Sequence, residues 1–220
     1  MSRLIDLSHE IENGMITYKG LPAPVICDYL SREQSRTLYE PGTEFQIGRI
    51  DMVANTGTYI DCPFHRYADG KDLSQVSLER FANVEAVVVR AHHHHGIEIG
   101  KKYFEKINVR GKAVLVNTNW SEFWRSDAYF ENHSFLTGEA AVWLRDQGAV
   151  MVGIDSHNID DTRGKSRPVH STLLQAEILI VEHMCNLSSL PDAGFCFHAV
   201  PPKFKGVGTF PVRAYAQIKD

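Results

Sequence analysis

Residues 55–65 read Asn55-Thr56-Gly57-Thr58-Tyr59-Ile60-Asp61-Cys62-Pro63-Phe64-His65. Gly57 and Pro63 bracket the stretch, and neither suits a helix interior, so the backbone here is not a regular helix. Thr58, Asp61 and His65 are polar groups set among Ile60, Pro63 and Phe64. A carboxylate and an imidazole four residues apart can be two metal ligands, or a ligand and a base. The plainer alternative makes Asp61 a turn cap and His65 a satisfied polar group. Cys62 reads as a buried structural thiol rather than a nucleophile.

Upstream, Phe45 to Met52 alternates apolar with polar and predicts a half-buried strand that feeds this stretch. Leu4 to Leu7 predicts a first short strand, and glycines and prolines punctuate residues 14–24. Downstream, Val84–Val89, Ala113–Asn117, Ala149–Ile154 and Ile178–Glu182 are strand-like apolar runs. Thr137 is placed to cap a helix over 138–147, which Gly148 can end. A second helix runs through Leu173 to Glu177, and 194–200 and 211–218 read as late strands. Strands and helices mix without regular alternation, repeat or linker. The expectation is one α/β domain over residues 1–220 with a mixed sheet.

The chain of 220 residues is 43% hydrophobic and 23% charged, ordinary for a globular protein. Its formal net charge of -4 argues against nucleic acid as a partner. No apolar run reaches the roughly 18 residues of a membrane span, and the first residues lack a signal-peptide core. The cytoplasm is the expected compartment. Cys27, Cys62, Cys185 and Cys196 form no Cys-x-x-Cys pair.

A second constellation pairs His170 with Glu182. Glu182 ends the apolar run 178–181, where a carboxylate is costly to bury unless paired or bound to a cation. A solvent-facing strand end is the alternative. Glu177 competes with Glu182 from a more polar position, and Asp155 and Asp160 follow another apolar run. The run His92-His93-His94-His95 follows a strand. Successive side chains of a strand point to opposite faces, so the four cannot converge on one ion from extended chain. The expectation there is a solvated loop that binds divalent metal adventitiously.

Together these segments resemble the cyclase-like metal-dependent hydrolases, a family that includes bacterial kynurenine formamidase and isatin hydrolase. The resemblance rests on Ile5 to His9 with Gly14-Met15, on 55–65, and on Gly153 through Asp160. It also rests on His170 through Glu182 to Asn186-Leu187, and on Gly208 through Ala214. Family members carry His-x-Gly-Thr-His-x-Asp-x-Pro-x-His at the spacing of 55–65, where this chain has Asn55 and Tyr59 for the first two histidines.

The resemblance implies a compact fold of the swivelling β/β/α type, a homodimer or homotetramer, and hydrolysis of a C–N bond in a small, often aromatic formamide or cyclic amide. It makes Asp61, His170 and Glu182 metal ligands and His65 the acid/base. Asn55, Tyr59 and Tyr18 fall to substrate binding, with Tyr59 donating a hydrogen bond to substrate. Amide and phenol replace imidazole poorly on zinc, so one divalent ion, manganese or zinc, is expected where relatives hold two. The rival expectation is a metal-free enzyme, a lyase or isomerase, or a small-molecule binding protein on the same scaffold.

Overall fold

The computed structural model describes residues 2–219. Its frame is a nine-stranded sheet. Four parallel strands form the centre: β5 (Val84–Arg90), β7 (Ala113–Asn117), β9 (Met151–Ile154) and β10 (Leu179–Glu182). On one side, β11 (Phe195–His198), β13 (Tyr215–Lys219) and β1 (Ser2–Asp6) continue the sheet antiparallel. On the other, β4 (Tyr59–Asp61) and β12 (Thr209–Pro211) do the same.

The central runs are apolar throughout because both faces are covered. Val84, Ala86 and Val88 point into one core with Leu115, Met151, Val181 and Phe197. Val87 and Val89 point into the other, against Val114, Val116, Val152, Ile154 and Ile180. Helices α2 (Gly138–Asp146) and α3 (Pro168–Gln175) close that second face with Ala140, Ala141, Leu144, Leu173 and Leu174. Thr137 caps α2 through Ala140 N–H, and Gly148 follows at φ 80°.

Three expectations change. The expected strand over 45–52 is β3 (Ile47–Asp51), and it is exposed along its whole length rather than half-buried. It pairs only with β2 (Val25–Leu30), in a hairpin outside the main sheet followed on the β2 side by α1 (Arg32–Leu38). The second helix starts five residues earlier than Leu173, at Pro168, whose fixed φ suits a first helical position. The late strand at 211–218 is two strands on opposite sides of the sheet, β12 at one edge and β13 just inside β1 at the other. A short parallel pair, β6 (Glu98–Ile99) and β8 (Phe135–Leu136), completes the fold. No helix among the described residues is long and apolar enough to cross a membrane.

Candidate active site

The site is set by the register of β4. Tyr59 and Asp61 are two apart and share one face of the strand, while Ile60 points into the core. Glu182 of β10 lies directly opposite Tyr59, and Thr209 of β12 lies directly opposite Asp61. Cross-strand partners sit on the same face, so four polar side chains are gathered at the sheet's end. The Tyr59 hydroxyl donates to Glu182 Oε2 at 2.5 Å, and Thr209 donates to Asp61 Oδ1. Glu182 Oε1 accepts the Ile159 N–H at 2.6 Å.

His65 arrives from the 3₁₀ turn Pro63–His65 that follows β4. Its Nδ1 lies 2.7 Å from Thr209 Oγ1. The threonine has one proton and gives it to Asp61, so His65 Nδ1 carries the donor hydrogen and Nε2 keeps a free lone pair. Gly208 permits this approach: a Cβ there would fall 2.3 Å from His65 N.

His170 sits in the first turn of α3, where Arg167 provides no side-chain cap. Asp160 caps the helix from outside instead. It accepts Val169 N–H at 2.8 Å and His170 N–H at 2.9 Å, and His170 Nδ1 at 2.7 Å. A ring whose Nδ1–H is held by a carboxylate presents Nε2 as the free atom. That Nε2 lies 3.7 Å from Asp61 Oδ2 and 3.8 Å from Glu182 Oε1.

The electrostatics follow from crowding charge in a dry place. Burial pulls the His170 pKa down, but Glu182, Asp160 and Asp61 outweigh it and lift it to about 10. Burial, with the Asp61 charge, pushes Glu182 up to about 7. Burial also works against the Asp61 carboxylate, yet His65, His170 and Thr209 hold its pKa below the ordinary value. Tyr59 is driven well above the usual phenol range by burial and the two carboxylates.

Tyr59, His65, His170 and Glu182 line a cavity of about 260 Å³, which Tyr18, Leu21, Asn55, Asn158, Arg66 and Arg167 complete, and Asp61 lies just behind it, 3.7 Å from His170 Nε2. All seven residues singled out from the sequence therefore meet in one place. Asp61, His65 and His170 form the tightest set, with ligand atoms within 4.8 Å of one another. Glu182 stands one step behind, fastened by Tyr59 and Ile159. The Tyr59 hydroxyl gives its single proton to Glu182, not to the cavity that the residue lines. Asp61 Oδ2 is buried with no hydrogen-bond partner. An orphaned carboxylate oxygen facing a free imidazole nitrogen fits a divalent cation.

The sequence reading left Asp160 as a mere candidate and did not weigh Thr209, Arg66 or Arg167 at all. Thr209 lies beside Gly208 in the closing segment, and nothing in its own spacing pointed to Asp61. Asp155 serves elsewhere, accepting the backbone N–H groups and side chains that shape residues 117–119. Glu177 pairs with Lys71 on the surface. Cys62 is buried, which pushes its thiol up to about 11.

A family model described as putative cyclase matches residues 5–161. This chain belongs to the putative-cyclase family. Kynurenine formamidase of Bacillus anthracis is 26% identical over 215 residues, covering 97% of this chain and 96% of the relative. A solved structure described as a potential metal-dependent hydrolase with cyclase activity superposes at TM-score 0.81 with 25% identity, covering all of both chains. Isatin hydrolase A from Labrenzia aggregata superposes at 0.84 over 100% of this chain and 94% of its own, at 20% identity. The α/β single-domain architecture of this cyclase-family chain is thus that of cyclase-family hydrolases.

Proposed function

We propose that this chain hydrolyses an amide C–N bond, other than a peptide bond, in a small formamide or cyclic amide. The observation that carries the reading is the buried, unpartnered Asp61 Oδ2, 3.7 Å from His170 Nε2, in a set whose ligand atoms, with His65, lie within 4.8 Å of one another beside the cavity. The names of its relatives, kynurenine formamidase and isatin hydrolase, support the same reaction class. Asp61 and His170, with Glu182 beside them, would hold one divalent ion. Nitrogen and carboxylate donors suit manganese or zinc. Such an ion lowers the pKa of a water and draws charge from the substrate carbonyl.

The remaining steps belong to the protein. His65 Nε2 takes a proton from the water as its oxygen adds to the carbonyl carbon. It returns that proton to the nitrogen as the C–N bond breaks. Acid–base help of this type contributes about 10² to 10⁴ in rate. Asn55 and Tyr18 orient the substrate, and the Tyr59 ring shapes its pocket. Asp160 holds His170 so that Nε2 faces the cavity, and Tyr59 holds Glu182. Formamides, lactams and cyclic imides assayed with manganese and with zinc test this. Turnover is expected in the parent and lost in His65→Ala with metal retained. An inactive parent across the panel, or a fully active His65→Ala, contradicts it.

One observation favours a second reading. A protonated His170 between Asp160, Asp61 and Glu182 neutralises the same carboxylates with no ion, as a metal-free lyase or isomerase would require. Activity that survives chelation selects that reading. A homodimer or homotetramer forms part of the proposal. It is supported by the β2–β3 hairpin, which exposes Val25, Tyr29, Ile47 and Ile50, because a lone two-stranded hairpin is marginal in water. Four free cysteines fit a reducing, cytoplasmic setting.

A further inference from the structure

The four-histidine run is not extended. His93–His95 form a 3₁₀ turn, so neighbouring side chains are no longer sent to opposite faces. The His93 and His94 rings lie 3.9 Å apart between centroids. Glu122 of the turn Trp120–Phe123 completes a set of three, with ligand atoms within 4.8 Å of one another.

His93 is built in. Its side chain is 12% exposed and packs edge-on against Trp120 and Phe123, each at 5.4 Å. Its Nδ1 lies 3.1 Å from Thr118 O, an atom that can only accept, so Nδ1 carries the hydrogen. Thr118 is itself fixed by the buried Asp155. With Nδ1 so used, Nε2 faces Glu122 Oε1 at 3.2 Å. That pair is satisfied by a positive charge between the two atoms, which a metal ion supplies as well as a ring proton does. Zinc bonds of about 2.0 to 2.2 Å at near-tetrahedral angles separate their donor atoms by roughly 3.2 to 3.4 Å. The observed spacing matches the bite of such an ion.

We propose that His93, His94 and Glu122 form a second metal site, distinct from the cavity, that clips the 93–95 turn to the 120–123 turn. Two imidazoles and one carboxylate select zinc, nickel or copper over magnesium or calcium. The expected solvated loop holds for His94 and His95, which are exposed, whereas His92 and His93 are half-buried.

Tag-free, chelator-stripped protein titrated with Zn²⁺ by calorimetry tests the site. His93→Ala and Glu122→Gln are each expected to weaken one binding event about tenfold or more. His92→Ala and His95→Ala are expected to leave it within about twofold, since neither belongs to the set. Asp61→Ala is expected to retain it, so failure of the cavity's metal reading registers separately. Equal losses in all the histidine variants would mean unspecific chelation by the run and overturn the proposal. So would Glu122→Gln binding as the parent does, or no event that depends on His93.

Discussion

Asp160→Asn probes how the candidate site is held. The carboxylate receives two backbone N–H groups of α3 and the His170 Nδ1–H, at 2.7 to 2.9 Å. Asparagine is nearly the same shape but has one oxygen and an NH₂. Either orientation turns the NH₂ toward a backbone N–H, and both remove the negative charge beside His170. Loss of such an outer partner typically weakens metal binding about 10- to 100-fold, or about 1.4 to 2.8 kcal/mol. Forfeiting a hydrogen bond to a charged group adds about 1.5 to 3 kcal/mol of lost fold stability. For a chain of this size that lowers Tm by roughly 3 to 12 °C. Calorimetric Mn²⁺ titration of chelator-stripped protein reads the first number, and thermal denaturation reads the second. If Tm falls while Mn²⁺ affinity stays within about twofold of the parent, Asp160 is a helix cap and nothing more, and its link to the metal reading is refuted.

Three other outcomes follow from the same structure. Tyr59→Phe leaves Glu182 Oε2 without the donor it has at 2.5 Å and is expected to cost about 1.5 to 3 kcal/mol in urea denaturation; no loss would mean the bond contributes nothing. Burial holds His9 down to about 4, His157 down to about 3, and His183 well below its ordinary value. Unfolded, these rings take protons below about pH 6.5, whereas native they refuse them, so their stabilisation is full above that pH and fades on acidification. Glu182, raised to about 7, opposes this by nearly one proton, and His170, raised to about 10, opposes it by about half a proton near pH 6.5 and by almost nothing near pH 5, where the unfolded ring is charged too. The net is small at pH 6.5, where unfolded imidazoles are half protonated, and grows to roughly two protons near pH 5, where it predicts a loss of about 2.8 kcal/mol per pH unit; a flat urea midpoint between pH 6.5 and 5 would contradict it. Ile50→Glu on the exposed hairpin is expected to turn a homo-oligomer into a folded monomer by light scattering, and a monomeric parent would remove that part of the proposal.

The parallel centre of the fold was legible because its strands are buried on both faces, so Val84–Val89 and Ala113–Asn117 announce themselves by continuous apolarity. The β2–β3 hairpin misled for the opposite reason. Its alternation looks like a strand with one face on a core, yet both of its faces are exposed in this chain. Asp61, His65, His170 and Glu182 were readable from spacing and resemblance. Thr209 was not, because its contact with Asp61 depends on β12 lying beside β4 across 148 residues of chain. The conformation of the histidine run was not legible from strand alternation, because residues 93–95 form a 3₁₀ turn.

The central claim is that Asp61 helps hold a metal ion. Metal content of tag-free protein purified without chelator tests it most directly, with His93→Ala and His94→Ala introduced to silence the outer site. The account predicts about one equivalent of divalent metal per chain, lost when Asp61→Ala is added. No metal in the parent, or the same content after Asp61→Ala, would contradict it.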